Sequence, residues 1–231
     1  MAGETVRSEA ICLSIKPWSQ TSHIVTWLTP GGRVATAAKG AVRPKSWLLG
    51  QYDLNYTCDV LYYARAKGDV HALRDCAPVD RRDALRADFR ALALADYFRW
   101  LASEFSPQGP DCAAWFDALG KALDALAAEA DGAPPFAGGW LAHMLRFELE
   151  ALHLLGLAPE IEAESGVFTL SGERKIPVSA EVAAHLRDPT RPVKNMQIPL
   201  DAARVIGVFY QFHADSAPDV RRTVLGLISK S

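Results

Sequence analysis

The hydrophobic period of this chain changes once, near residue 78, and that change constrains the fold more than any other feature. Before it, apolar and β-branched residues come in short runs at strand spacing; after it they recur at helical spacing. Val6, Ala10, Cys12 and Ile15 mark a first extended run, and His23–Thr29 a second, rich in β-branched and aromatic residues. Pro30-Gly31-Gly32 is a tight turn into a third run, Arg33–Ala38, so the second and third form a hairpin. A basic connection follows, from Lys39 to Trp47. Over Asp53–Ala64 the residues Leu54, Tyr56, Cys58, Val60 and Tyr62 alternate onto one face, and Lys67-Gly68-Asp69 turns the chain into Val70–Arg74. Five short strands with a long excursion between the third and fourth fit an OB-type barrel. A five-stranded SH3-like barrel fits the pattern almost as well.

From Val79 onward the spacing predicts helices. Leu85, Phe89, Leu92, Tyr97, Trp100 and Leu101 form one apolar stripe, ended by Ser106-Pro107-Gln108-Gly109-Pro110. Asp111 is placed to cap the next helix, which carries Trp115, Leu119, Leu123 and Leu126. Trp140, Met144, Phe147, Ala151 and Leu154 mark a third helix, stopped by Gly156 with Pro159 beyond. Residues 160–178 read as irregular, with a small hairpin near Val167–Leu170. Ser179 caps a short helix to Leu186, and two more helices are expected over about Leu200–His213 and Pro218–Ser229.

Composition removes several function classes. No apolar run reaches the roughly 18 residues that span a bilayer. Glu4, Arg7 and Glu9 lead directly into a strand, unlike the basic-then-apolar start of a signal peptide, so a cytoplasmic protein is expected. Cys12, Cys58, Cys76 and Cys112 form no CxxC pair and read as reduced core residues, not metal ligands. The six histidines are scattered, and no P-loop, GxGxxG, HExxH or GxSxG is present, so no enzyme and no cofactor is expected. Charge is unevenly spread. Residues 1–50 carry Arg7, Lys16, Arg33, Lys39, Arg43 and Lys45 against Glu4 and Glu9, a balance of +4 within a chain of net charge −2. That asymmetry points to a nucleic-acid surface near the N-terminal end.

Three stretches, in order, resemble the RecO family of DNA-repair and recombination mediators. The first is Lys16-Pro17-Trp18-Ser19-Gln20-Thr21-Ser22, followed by the strand to Thr29 and by Gly32-Arg33. The second is Ala38-Lys39-Gly40-Ala41 with Arg43-Pro44-Lys45-Ser46, similar to the family's K-G-A-R-R-x-K-S run, with Val42 where an arginine is common. The third is Arg146-Phe147-Glu148-Leu149, then Leu152, Leu155-Gly156 and Pro159, similar to its R-F-E-L-x-L-L-x-x-L-G-x-x-P helix. The chain departs from the family twice. Many members carry four zinc-binding cysteines after that helix, whereas Ile161–Ile176 holds no cysteine or histidine. Members also often show a serine and an arginine before the last helix, and Asp219-Val220-Arg221-Arg222 keeps only the basic part.

The resemblance implies an α+β protein: an N-terminal five-stranded OB-fold barrel over 1–78, then an all-α C-terminal domain over 79–231 with an irregular, zinc-free insertion near 160–178. It also implies a mediator that binds single- and double-stranded DNA, anneals strands and helps load the recombinase onto DNA coated with single-strand-binding protein. The implied partners are RecR, RecF and the acidic C-terminal tail of single-strand-binding protein, in the cytoplasm at the nucleoid. Single-strand binding needs cations for phosphates and flat side chains for bases. Lys16, Arg33, Lys39, Arg43 and Lys45 supply the first, and Trp18 and Trp47 the second. Trp27 falls at core spacing. Arg146, Arg221 and Arg222 are candidates for partner binding, with a structural network as the plainer reading of Arg146 and Glu148. Two readings compete: a protein-only adaptor whose basic loop meets acidic partners, and a small enzyme assembled from isolated residues such as His71, Asp75 and Glu148.

Overall fold

The computed structural model describes residues 4–65, 68–107, 112–136, 138–162, 167–171, 174–213 and 217–229. The expected cap at Asp111 lies outside the described residues. Five strands open the chain: β1 (Thr5–Ser19), β2 (Ser22–Thr29), β3 (Gly32–Ala38), β4 (Thr57–Tyr63) and β5 (Val70–Asp80). They close into a barrel in the order β1-β2-β3-β5-β4, with β4 returning to β1. All pairs are antiparallel except β3–β5, which runs parallel from Ala35 opposite Val70 to Ala37 opposite Ala72. That order, with its parallel closure, is the OB topology and removes the SH3-like alternative.

The barrel core is built from alternate residues. Ala10, Cys12, Val25, Trp27, Cys58, Val60 and Cys76 are all buried, and Trp27 sits inside at 0% exposure, donating from Nε1 to Thr36 Oγ1 at 2.8 Å. Near the middle of β1 the alternation fails, because Ala10, Ile11, Cys12 and Leu13 are all buried. The β1–β2 register slips between Cys12 and Ser14, placing Leu13 in a bulge. Ile11 approaches Gly120, and the Leu13 carbonyl accepts a hydrogen bond from Arg99.

Two strand ends differ from the sequence expectation. β5 runs through Pro78 to Asp80, past the point where the period changes. The register there jumps from Cys58–Pro78 to Thr57–Asp80, a bulge at which proline is tolerated. β4 starts at Thr57, not Asp53, because Tyr56 N–H bonds back to the Asp53 carbonyl and Asn55 takes φ 68°.

A single 3₁₀ turn, Asp83–Arg86, leads into helices α1 (Phe89–Phe105), α2 (Ala113–Ala130), α3 (Trp140–Leu154), α4 (Ala180–Arg187), α5 (Gln197–His213) and α6 (Ala217–Ile228). The helical part is not all-α as expected: the stretch read as irregular, with a small hairpin near Val167–Leu170, holds three short strands between α3 and α4. These are β6 (Glu160–Glu162), β7 (Val167–Ser171) and β8 (Arg174–Pro177), paired antiparallel in that order. Their runs of three to five residues are too short to show a period. The chain divides into two compact units. One contains the barrel to Asp83 with Arg99–Leu123, and the other contains Ala84–Phe98 with the chain from Asp124. In the second, α3 packs on α5 and α6, and α4 packs on α5.

Candidate nucleic-acid interface

The β1–β2 turn and the long β3–β4 connection meet at one place on the barrel. Val42 N–H donates to the Thr21 carbonyl at 3.3 Å, and Gly40 N–H donates to Ser22 Oγ at 3.1 Å. The connection then folds through successive tight turns, with amide-to-carbonyl bonds from Arg43 to Gly40, Ser46 to Arg43, Leu49 to Ser46 and Gln51 to Leu48. Gly40 permits the first of these at φ 66°, and the Arg43 side chain lies over it, so a Cβ there would stand 3.3 Å from Arg43 Cδ.

Buried anchors hold the connection down. Ala41, Leu48, Tyr52 and Tyr56 belong to the barrel core. Tyr52 meets Trp27 edge to face at 6.0 Å, and its hydroxyl lies 2.9 Å from His23 Nδ1. From below, the Cys58 and Cys76 thiols donate to the Gln51 carbonyl at 3.6 and 3.8 Å. Burial pushes the Cys12 thiol up, and neighbouring Cys58 and burial push Cys76 up, so both stay protonated core residues.

What projects outward is basic and aromatic. Lys16, Lys39, Arg43 and Lys45 are exposed, and none makes an ion pair with another described residue. Trp18 is 56% and Trp47 54% exposed. Trp18 stands in a second β1 bulge, between Pro17 and Ser19, where the ladder register slips. Six of the seven residues expected to touch DNA are therefore exposed, Lys16 and Trp18 at the end of β1 and Lys39, Arg43, Lys45 and Trp47 on the β3–β4 connection. Arg33 is the exception. It is half-buried in β3, and its guanidinium donates to the Ser103 carbonyl. Arg7, another N-terminal cation, is held by Asp59 across the β1–β4 pair, which draws that carboxyl below its usual range.

Family models match almost the whole chain. The one described as Recombination protein O N terminal matches residues 1–82, and the one described as Recombination protein O C terminal matches 86–228. The chain belongs to the RecO family. A protein named DNA repair protein RecO from Roseiflexus sp. (strain RS-1) is 29% identical over 183 residues, covering 78% of this chain and 61% of the relative. A second protein of that name, from Desulforudis audaxviator (strain MP104C), is 27% identical over 161 residues, covering 69% of this chain and 60% of the relative. The matched segments span about three fifths of the length of these curated RecO relatives.

The R-F-E-L run of this RecO chain lies on α3, and its glutamate is structural. Glu148 is fully buried. Its Oε1 accepts from Tyr97 Oη at 2.7 Å and from Arg221 Nε at 2.7 Å, and its Oε2 accepts from Arg221 Nη2 at 3.0 Å. Arg221 also donates to the Ala203 carbonyl at 2.8 Å, and Tyr210 Oη donates to the Glu148 carbonyl at 3.2 Å. Gly207 makes room for this arrangement, because a Cβ there would stand 2.7 Å from Arg221 Nη1. Arg221 is thus committed to the helical core and is not available to a partner. Arg222 is exposed and faces Asp219 at 3.6 Å. Arg146 is exposed with its guanidinium 5.1 Å from the centre of the Phe136 ring.

Sequence reasoning missed a cavity of about 420 Å³ beside the basic connection, lined chiefly by Ile15, His23, Val42, Leu49, Tyr52 and Asp53. The available signal was the apolar run Trp47-Leu48-Leu49 inside a connection otherwise read as polar.

Proposed function

We propose that this chain is a DNA-repair protein that acts as a recombination mediator without chemistry of its own. It binds and anneals single-stranded DNA, and it helps load the recombinase onto DNA coated with single-strand-binding protein. RecR, RecF and the acidic tail of single-strand-binding protein are its proposed partners, in the cytoplasm at the nucleoid. The observation that carries the reading is that the end of β1 and the β3–β4 connection, joined through the β1–β2 turn, present four exposed cations and two exposed tryptophans on an OB barrel. Cations track the phosphate backbone and each stacked base adds on the order of 1–3 kcal/mol, so the two residue types together suit an unpaired strand. For partner binding, the exposed Arg146 and Arg222 remain candidates.

Binding of a fluorescent single strand across a salt series tests this. Affinity is expected to fall with salt. In a Lys39→Ala/Arg43→Ala/Lys45→Ala variant the slope of log K against log salt should shrink by about 2, at about 0.7 for each phosphate no longer neutralised. No binding at low salt would sink the mediator reading in favour of a protein-only adaptor.

A further inference from the structure

The cavity beneath the β3–β4 connection has no part in tracking phosphates, yet it opens beside the residues that would do so. Its walls are mostly apolar: Ile15, Val42, Leu49 and Leu54, with the Tyr52 ring. Val42 and Leu49 are 40% and 51% exposed, so the mouth is open at the connection. Three lining residues adjoin the exposed cations or aromatics in sequence: Ile15 precedes Lys16, Val42 precedes Arg43, and Leu48 follows Trp47.

We propose that this cavity takes one unpaired nucleobase from the strand bound along the connection, a proposal that rests on the DNA-binding reading above. A volume of about 420 Å³ lies near the lower end of small-molecule sites, which run from roughly 300 to 1,000 Å³, and leaves room for a single heterocycle. Charge decides what enters. Among the described residues, no lysine or arginine is part of the lining, while Lys16, Lys39, Arg43 and Lys45 lie outside it and attract a phosphate. A neutral ring is therefore drawn inward while its phosphates remain on the cations. A base already paired in a duplex enters only by breaking its pair and stack, so the cavity favours single strands.

Anisotropy with the full chain separates this from general binding. Two labelled strands of equal length are needed: oligo-dT, and an abasic strand with the same sugar-phosphate backbone. A third strand carries one 2-aminopurine. The unmodified protein should bind oligo-dT at least about 5-fold tighter than the abasic strand, as base stacking and burial imply. Val42→Ala/Leu49→Ala changes only exposed wall residues. It should narrow that gap by at least about 3-fold, leave abasic binding and the salt slope unchanged, and reduce the 2-aminopurine emission change to the part that stacking on Trp18 and Trp47 gives. The single Leu49→Ala variant gives a smaller loss in the same direction if the double variant folds poorly. Equal weakening of both strands, or no weakening of either, would overturn the base pocket while the DNA-binding reading stands. A base-independent cavity that accepts an apolar protein side chain would give that second outcome. Failure of the unmodified protein to bind any strand would instead remove the reading on which the pocket rests.

Discussion

Buried charge decides most at the level of single residues. Glu148 and Arg221 are 0% and 7% exposed in their side chains and satisfy one another. Breaking a buried pair leaves one charge uncompensated and typically costs about 3–5 kcal/mol. Glu148→Ala is therefore expected to lower stability by about that amount in urea unfolding. Replacing both partners by apolar residues should recover much of it; a loss below about 1 kcal/mol for Glu148→Ala would show that the pair carries little. His185 poses the opposite case. It is 2% exposed on α4, and neither ring nitrogen has a hydrogen-bond partner among the described residues. Burial holds its pKa below the usual 6.5, with Asp188 opposing. The unfolded chain then binds the proton more readily, so the folded state is favoured above pH 6.5 and loses that advantage as pH falls through 6.5 toward the lowered value. His143 shifts the same way, chiefly through burial. Urea midpoints should drop between about pH 7.5 and 5.5, and His185→Leu should flatten the drop. An unchanged pH dependence in His185→Leu would refute the assignment.

Elements show which parts of the fold were legible beforehand. The end of α3 was plain from Gly156. It takes φ 70°, and the amides of Gly156 and Leu157 bond the carbonyls of His153 and Leu152 in a Schellman arrangement. A Cβ at Gly156 would meet nothing within 4 Å, so Gly156→Ala is expected to cost only backbone strain, about 1–2 kcal/mol. A urea midpoint equal to that of the unmodified protein would contradict this. The barrel strands were equally legible where one face is buried, as at Cys58, Val60 and Tyr62. Bulges were not. They leave no compositional mark, and they interrupt the alternation at Leu13, which is buried, and at Trp18, which is exposed. The exposed cations of the connection were found because basic residues cluster in sequence, yet that clustering could not separate Arg33, whose guanidinium is spent on Ser103. Nor could local sequence show that Arg221 reaches Glu148, 73 positions away.

The division of the whole chain differs between homology and packing. The family matches part between Arg82 and Arg86, whereas the compact barrel unit also takes in Arg99–Leu123. That extra segment brings Gly120 against Ile11, and it supplies the Arg99 bond to the Leu13 carbonyl and the Ser103 acceptor for Arg33. A fragment ending at Arg82 should consequently expose Ile11 and bind a hydrophobic dye. It should unfold at least about 2 kcal/mol more easily than the barrel of the full chain, given about 1.5–3 kcal/mol per large buried side chain. A dye-silent fragment with native stability would show that the barrel needs no such cover. The closed strand order carries a last consequence. Each barrel strand has two neighbours, so none is the outer strand of an open sheet, although β3 and β5 meet over only three residue pairs, Ala35–Ala37 with Val70–Ala72. A second copy thus finds only short stretches on which to extend the barrel sheet, and crowding of copies offers little template for aggregation by that route.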